Sequence, residues 1–304
     1  MYVIDVFSGC GGFTQGAKQA GATVILAVDS WKEALDVHAL NHPETEHWHE
    51  VVGGDPSLFA GRLRAVADLK VPSGEHLHVH FSPPCQQLSG VNHSRNELKG
   101  LALVEWSFQV AELLCPDSFT VEQVRNPFLL RTYAHLPHRI YKMCEHGIPQ
   151  TRVRVLFGDA PALPFAPAEP ILSFLNDVNI LPGTCITNHN MKRVLGKKSN
   201  PIAYATRDLS QTSFTVTRAQ PQLYRNMKAT ILPIEVVARL QTFDANYFAG
   251  LKMCVARRLI GNAVPPSFAE LVVRELKKSL QHDLVFNVCP QEAGGRGQCG
   301  THDG

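Results

Sequence analysis

The first half of the chain alternates short apolar segments with longer segments of helical periodicity. Strands are predicted at residues 2–7, 23–28, 48–52 (the weakest), 77–81, 118–121 and 153–157. Helices are predicted between them at residues 13–20, 31–40, 57–67 and 97–114. Because neighbouring parallel strands need a crossover connection, this alternation predicts a parallel sheet with helices on both of its faces.

The composition and periodicity of the sequence change at about residue 160. Residues 1–158 form the first predicted domain, and the proline-rich, irregular residues 159–232 form a second, smaller region. Helical periodicity returns at residues 233–241 and 266–280, so we expect residues 233–284 to return to the first domain. Residues 285–304 are rich in glycine and polar side chains, which predicts a disordered tail.

Composition indicates an ordinary globular protein that works inside the cell. The net charge of +2 neither requires nor excludes a nucleic-acid partner, so any basic surface has to be local. No signal peptide and no apolar run long enough to cross a membrane is present, which predicts no membrane contact. The eight cysteines are scattered and contain no CxxC pair, which argues against a zinc site and favours a reducing compartment.

A glycine-rich turn follows the first predicted strand. Gly9, Gly11 and Gly12 leave bare backbone that a ligand can approach, at a place where a helix offers free N–H groups. The spacing does not match the dinucleotide or the P-loop fingerprint. Asp29 and Asp55 follow the next two predicted strands, where a carboxylate can accept hydrogen bonds from ribose hydroxyls. Either acid alone is more often a helix N-cap or a solvated loop residue.

Cys85 stands directly after two prolines at the end of the predicted strand 77–81. Proline fixes φ and has no N–H, so Pro83 and Pro84 should end the strand and hold Cys85 in a rigid loop. That loop lies at the carboxyl edge of the sheet, where ligands bind in open α/β folds. Most free cysteines are small buried hydrophobic residues, so position alone leaves both a nucleophile and a packing residue open.

Three histidines, His76, His78 and His80, alternate along the same predicted strand and so share one face. A metal site needs further ligands, and neither a carboxylate nor a fourth ligand stands at a convincing spacing from these three. We therefore expect no metal.

Six short motifs occur in order along the chain. They are DVFSGCGGF at 5–13, SPPCQ at 82–86, VEQV at 121–124, PQTRVR at 149–154, ARLQTF at 238–243 and IGNAVPP at 260–266. This series resembles that of the S-adenosylmethionine-dependent DNA (cytosine-5) methyltransferases over about residues 1–280. The resemblance implies a Rossmann-like α/β fold with a mixed, mostly parallel seven-stranded sheet. It also implies a small target-recognition domain between the fourth and fifth motifs.

The resemblance implies a covalent mechanism at cytosine. Carbon 5 is too weakly nucleophilic to take a methyl group, so Cys85 would first add to carbon 6. Glu122 would contact N3 and the exocyclic amino group, Arg152 and Arg154 would line the site, and Gln150 would lie near the base. A thiolate is favoured by positive surroundings, which the two arginines could supply.

The resemblance also implies the cofactor and partner. Contacts to S-adenosylmethionine, which leaves as S-adenosylhomocysteine, would come from Phe7, Ser8, Gly9, Gly11, Gly12, Asp29, Ser30, Asp55, Pro56, Pro84, Asn262 and Val264. The substrate would be duplex DNA with the cytosine flipped out of the stack. We expect a monomer in the cytoplasm of a prokaryotic or virus-infected cell, or in a nucleus. Phosphate contacts are expected from Lys192, Arg193, Lys197, Lys198, Arg207, Arg218 and Arg225.

Several departures from the family pattern keep two alternatives open: an RNA (tRNA) cytosine-5 methyltransferase, and a catalytically weak relative that binds DNA or the cofactor. Gln123 stands where the family usually has Asn, and Gln87–Leu88 stand where it often has Pro–Phe. Residues 124–147 are few for a connecting helix plus a strand, so we expect a peripheral element to be trimmed.

Overall fold

The computed structural model describes residues 1–90, 94, 96–176, 178–189, 205–218 and 221–286, with side chains as far as residue 280. Seven strands form the main sheet: β1 (Tyr2–Val6), β2 (Thr23–Asp29), β3 (Glu46–His49), β4 (Leu77–Phe81), β5 (Ser118–Val124), β6 (His138–Lys142) and β7 (Val153–Gly158). Their order across the sheet is β3-β2-β1-β4-β5-β7-β6.

The sheet is mostly parallel, as the sequence predicts. Strands β3, β2, β1, β4 and β5 are parallel to one another, whereas β7 is antiparallel to both β5 and β6. Every residue of β4 is buried, which is typical of a strand covered on both faces. The mixed seven-stranded sheet is therefore confirmed.

Eight α-helices are described: α1 (Gly12–Gln19), α2 (Lys32–Asn41), α3 (Pro56–Lys70), α4 (Glu97–Leu114), α5 (Pro127–Thr132), α6 (Ile234–Leu240), α7 (Met253–Asn262) and α8 (Pro266–Phe286). Helices α3 and α4 pack together on one face of the sheet around Phe59, Leu63 and Val104. On the other face α1 packs against α8 at backbone contact, since a Cβ added at Gly16 would lie 2.1 Å from the carbonyl oxygen of Pro266. The C-terminal helix thus returns to the first sheet.

A second sheet lies within residues 159–232. It has four antiparallel strands, β8 (Cys185–Thr187), β9 (Arg207–Asp208), β10 (Gln222–Arg225) and β11 (Lys228–Ile231), in the order β11-β10-β8-β9. Side chains from this sheet share one core with α6 and α7, including Ile186, Leu223 and Val237. The domain boundaries drawn from the sequence remain predictions.

Some elements differ from the sequence predictions. Strand β3 begins two residues before the predicted segment, and β5 runs three residues further, so that Glu122 lies inside the strand and not after it. The short interval 124–147 holds both a helix and a strand, because α5 has only six residues and leaves room for β6. That an element there is trimmed relative to the family stays a prediction. Helix α7 and the strands β6 and β8–β11 were not predicted.

The predicted disordered tail lies almost wholly outside the described residues, and α8 extends to Phe286. Four of the basic residues expected to contact phosphate also lie outside them, namely Lys192, Arg193, Lys197 and Lys198. Among the residues that are described, no helix is long and apolar enough to cross a membrane.

Candidate active site

Cys85 lies in a loop at the carboxyl end of β4. This loop, residues 82–89, is called the Cys85 loop below. Its first residue continues the sheet, since the Ser82 N–H donates to the carbonyl of Val6 at 3.1 Å. Two prolines then remove the next donors, and the chain turns where the N–H groups of Leu88 and Ser89 donate to the Cys85 carbonyl. Cys85 is half-buried, which makes its thiol accessible but held in place.

Glu122 and Arg154 meet on the neighbouring strands β5 and β7. Arg154 Nε lies 2.6 Å from Glu122 Oε1, with the two side chains 10% and 9% exposed. The contact is an ion pair and not an aligned hydrogen bond. The antiparallel register pairs Arg154 with Val124. Glu122 lies two residues before Val124 on the same face of β5, so its side chain is the diagonal neighbour of Arg154.

Arg152 precedes β7 and is almost fully buried. Its guanidinium donates to the carbonyls of Val216 at 3.1 Å and Ala263 at 3.3 Å. Burial lowers the pKa of Arg152 to about 9, and the charge of Arg154 acts in the same direction, whereas Glu122 and Cys85 act against it. Three of the other four predicted catalytic residues, Cys85, Glu122 and Arg154, thus influence the charge of Arg152.

Gln150 is fully buried, and its amide connects three segments of the chain. Nε2 donates to the carbonyl of Leu240 at 3.1 Å and to Oε1 of Gln241 at 2.8 Å, while Oε1 accepts from the N–H of Val216 at 3.1 Å. The side chain thus joins β7 to α6 and to the second region. Its predicted place near the base remains a prediction.

Asp29, the last residue of β2, holds the glycine turn. Oδ2 accepts from the Gly9 N–H and Oδ1 from the Trp31 N–H, each at 2.7 Å. Burial raises the pKa of Asp29, and these two N–H groups oppose the shift. Each carboxylate oxygen has a second lone pair, so the carboxylate retains acceptor capacity for a ribose hydroxyl. Ser30, the next residue, is exposed.

The glycine turn has two features that fit a ligand such as S-adenosylmethionine. Gly9 has φ +56°, and a Cβ added there would meet no atom within 4 Å among the described residues. In the same part of the chain, the buried Ser8 Oγ has no hydrogen-bond partner. Bare backbone beside open space and a buried polar atom that still needs a partner both suit a polar ligand lying along this turn.

The C-terminal motif closes against the same turn. A Cβ on Gly12 would lie 2.1 Å from the carbonyl oxygen of Val264, so the two backbones are in contact. Gly11 has φ +93°, which a side chain would strain. Asn262 is exposed at the end of α7. The structure therefore places Val264, although it is far along the sequence, beside the glycine turn.

Phe7 lies in the left-handed region with φ +63°, a strained conformation for a residue other than glycine. Its ring packs edge-on against Trp106 of α4 at a centroid distance of 6.0 Å. Trp106 Nε1 donates to the carbonyl of Gly54 at 2.9 Å, directly before Asp55 and Pro56. Asp55 caps α3 by accepting from the Ser57 N–H at 2.8 Å. Sequence reasoning missed Trp106, because a tryptophan within an amphipathic helix is usually a core residue.

The two histidines of β4 and His76, which precedes it, have other partners. His78 contacts the hydroxyls of Ser118 and Thr120 at 2.8 and 3.1 Å, and burial lowers its pKa to about 3. The ring of His80 stacks on Phe13 with centroids 3.5 Å apart. Within the described ranges no group of three or more histidine, cysteine or acidic side chains could hold a metal ion.

Comparisons with known proteins agree with this geometry. The family model "C-5 cytosine-specific DNA methylase" matches residues 1–126 and 179–278. DNA (cytosine-5)-methyltransferase 1 of Rattus norvegicus is 28% identical over 272 residues, which cover 78% of this chain and 16% of the rat protein. Type II methyltransferase M.DdeI of Desulfomicrobium norvegicum is 27% identical over 176 residues, covering 52% of this chain and 40% of that protein. The chain thus spans less than half the length of these relatives.

A solved structure shares the fold. An Escherichia coli protein that is encoded within a prophage and assigned to the DNA modification methyltransferases superposes with a TM-score of 0.66 at 21% identity. The superposition covers 92% of this chain and 99% of the other. At this identity the likeness establishes the common fold and no more.

Proposed function

The chain belongs to the C-5 cytosine-specific DNA methylase family, and from that membership we propose that it transfers a methyl group from S-adenosylmethionine to carbon 5 of cytosine in DNA. The observation that supports the proposal is the convergence of three segments. The hydrogen bond from Gln123 to the Pro83 carbonyl holds the loop of Cys85 against β5, which carries Glu122, and Glu122 forms an ion pair with Arg154 of β7. Arg152 directly precedes β7. A nucleophile, an acid and positive charge are what addition to a cytosine ring requires.

The reaction begins at the thiol. The Cys85 thiolate adds to carbon 6, and the electrons of the C5–C6 double bond move toward carbon 5 and N3. Arg154 holds one oxygen of Glu122, which leaves the other to face the pyrimidine ring. In its protonated form Glu122 donates a proton to N3 as negative charge builds there, and the carboxylate that remains accepts from the exocyclic amino group. Carbon 5, now nucleophilic, takes the methyl group, and loss of the carbon-5 proton to a base then re-forms the double bond and expels the Cys85 thiolate.

The cofactor lies along the glycine turn in this proposal. S-adenosylmethionine, when bound there, supplies the methyl group and leaves as S-adenosylhomocysteine. The unpartnered Ser8 Oγ and the open space beside Gly9 support this position. Asp29 and Ser30 bind the ribose side, and Asp55 and Pro56 bind the adenine. The remaining contacts come from Phe7, Gly11, Gly12, Pro84, Asn262 and Val264.

The partner in this proposal is duplex DNA with a flipped cytosine. The DNA lies between residues 1–158, which contain the main sheet, and residues 159–232, which contain the second sheet. Arg218 and Arg225 remain proposed phosphate contacts. Arg207 has other contacts, since its guanidinium lies 4.2 Å over the ring of Phe214 and donates to Thr212 and Ser213 carbonyls. All proposed catalytic residues belong to one chain, which supports a monomer. Its free cysteines support a reducing compartment inside the cell.

The direct test measures methyl transfer from labelled S-adenosylmethionine by the purified chain to duplex DNA and, in parallel, to tRNA. We expect label on DNA cytosine and none with Cys85→Ser. Label on tRNA alone would establish the RNA alternative, and absence of label with tight cofactor binding would establish a silent relative. Bisulfite sequencing of DNA from a host that expresses the protein would then give the sequence context of the modified cytosines.

A further inference from the structure

Two buried amide side chains hold the Cys85 loop from both sides. Gln123 Nε2 donates to the carbonyl of Pro83 at 3.0 Å, and Asn126 Nδ2 donates to the carbonyl of Leu88 at 2.9 Å. Pro83 lies two residues before Cys85, and Leu88 three residues after it. Gln123 is 0% and Asn126 4% exposed, so solvent cannot replace either contact. Cys85 is therefore bracketed by two fixed carbonyl groups.

The backbone of the loop depends on these contacts because it has few backbone hydrogen bonds of its own, whereas the Gln87 side chain accepts from the Asn96 N–H at 2.7 Å. Pro83 and Pro84 have no N–H to donate, so pairing with the sheet stops after Ser82. Beyond that point, the backbone bonds inside the loop are those from Leu88 and Ser89 to the Cys85 carbonyl, which close the turn without tying it to the sheet. The amides of Gln123 and Asn126 supply that attachment.

The orientation of each amide is set by its oxygen. Gln123 Oε1 accepts from the N–H of Val124 at 2.8 Å. Asn126 Oδ1 accepts from the N–H groups of Phe128 and Leu129 at 2.7 and 3.0 Å, as the N-cap of α5. Because each oxygen faces backbone N–H groups, each NH₂ group must face the loop. A carboxylate of the same size could accept from these backbone N–H groups, but it could not donate to the carbonyl of the loop.

We propose that Gln123 and Asn126 are positioning residues that fix Cys85 relative to Glu122, and through it to Arg154. Gln123 follows Glu122 directly on β5, so one strand both carries the acid and holds the loop of the nucleophile. The inference rests on the proposed methyl transfer for its catalytic meaning. Gln123, which departs from the Asn of the family pattern, is thus the side chain through which this chain attaches its loop and not a sign of lost activity.

The first test uses Gln123→Met, which keeps the length of the side chain and removes the donor. We expect kcat for methyl transfer to fall about tenfold or more, since small displacements of reacting groups cost this much. KM for S-adenosylmethionine should stay within about twofold. Gln109→Met is the matched control, because Gln109 is exposed on α4. Asn126→Asp is the second variant, since its carboxylate still caps α5 but cannot donate to Leu88. It is combined with Glu97→Gln, because Asn126 Nδ2 also donates to Glu97 Oε1 at 3.1 Å and a carboxylate at residue 126 would repel Glu97; Glu97→Gln alone is its control.

The second measurement does not need methyl transfer. Iodoacetamide labelling followed by peptide mass spectrometry gives the alkylation rate of Cys85 relative to the exposed Cys115 and Cys254 of the same molecule. We expect this ratio to change by more than about twofold in Gln123→Met or Asn126→Asp and to stay constant in Gln109→Met, because releasing the loop alters the surroundings of the thiol.

The two measurements separate the outcomes. If kcat and the alkylation ratio both stay within about twofold of the wild type in the folded variants, while only the melting temperature falls, the amides are merely structural and the inference is overturned. If the wild-type chain transfers no methyl group but the alkylation ratio still changes, the proposed function fails and the positioning of the loop stands. Should Gln123→Met not fold, the second variant decides by the same two readouts.

Discussion

Arg154 and Glu122 form an ion pair across β5 and β7, with Nε 2.6 Å from Oε1 and both side chains about nine-tenths buried. A buried pair of this kind differs from a surface pair, because neither charge can turn to water when its partner is removed. The pair also ties the proposed acid to the strand that carries Arg152.

Arg154→Ala should therefore lower the free energy of unfolding by about 3–5 kcal/mol, the usual cost of leaving a buried charge unpaired. Urea unfolding followed by circular dichroism measures this change. The exposed pair Lys32–Asp36 provides the control, since Asp36→Ala should cost about 1 kcal/mol or less. Equal losses for the two substitutions would show that the Glu122–Arg154 pair contributes no more than a surface pair.

The main sheet could be predicted from the sequence because its strands and helices are local patterns. The strand 77–81 and the helix 97–114 were predicted with their observed bounds. The short strands β8–β11 could not be, because strands of two to four residues have too few positions to show alternation. Strand β6 was missed because only Tyr141 of its five residues is buried, so the segment lacks the alternation of a half-buried strand.

The residues of the candidate site also divide into those that a local motif predicts and those that depend on distant contacts. Cys85, Glu122 and Arg154 were predicted as catalytic from the short motifs SPPCQ, VEQV and PQTRVR, whose residues are neighbours in the sequence. The partners of Gln150 are the carbonyl of Leu240 and the side chain of Gln241, 90 and 91 positions away. Such contacts depend on how distant segments pack, and no local pattern reports them. The roles of Gln123 and Trp106 escaped sequence reasoning for that reason.

Cys85→Ser should abolish methyl transfer while leaving the fold and cofactor binding intact. Serine is close in size to cysteine, and the loop is held through backbone carbonyls that the substitution does not touch. Calorimetric titration with S-adenosylhomocysteine should give a Kd within about twofold of the wild type. Cys254→Ser, at an exposed position, should change neither quantity. Residual transfer by Cys85→Ser at the wild-type rate would refute the covalent mechanism.

Two glycines of the same turn should respond differently to alanine. Gly9→Ala places a methyl group in open space, so it should cost only the strain of its left-handed φ of +56°, about 1–2 kcal/mol. The same methyl group would stand where the cofactor is proposed to lie, so Kd for S-adenosylhomocysteine should rise about tenfold or more. Gly12→Ala instead directs its methyl group at the carbonyl of Val264, 2.1 Å away, and should reduce stability more than Gly9→Ala does.

Melting temperatures and titration of the two glycine variants give the comparison. If Gly9→Ala binds the ligand as tightly as the wild type, the cofactor does not lie against this part of the turn. If Gly12→Ala is as stable as the wild type, the contact between the turn and the C-terminal segment is looser than the structure has it.

The buried Asp5 should give stability a distinctive dependence on pH. Burial raises the pKa of Asp5 to about 7, although a hydrogen bond from Thr14 at 2.8 Å opposes the shift. The ordinary aspartate pKa is about 3.9, so between about pH 4 and pH 7 the folded state binds more protons at this position than the unfolded state. The contribution of Asp5 to stability is therefore most favourable below pH 4 and is lost as the pH rises to about 7.

Asp5→Asn isolates this effect, because an amide of the same shape carries no proton equilibrium. The unfolding free energy of the variant minus that of the wild type should increase steadily from pH 4 to pH 7 and then level off. The buried His42 and His78, whose pKa values burial lowers to about 4 and about 3, give the opposite slope, but they are present in both proteins and cancel in the difference. A difference that does not vary with pH would show that Asp5 is ionised in the folded protein at acidic pH. The carboxylate would then be stabilised by more than the hydrogen bond from Thr14.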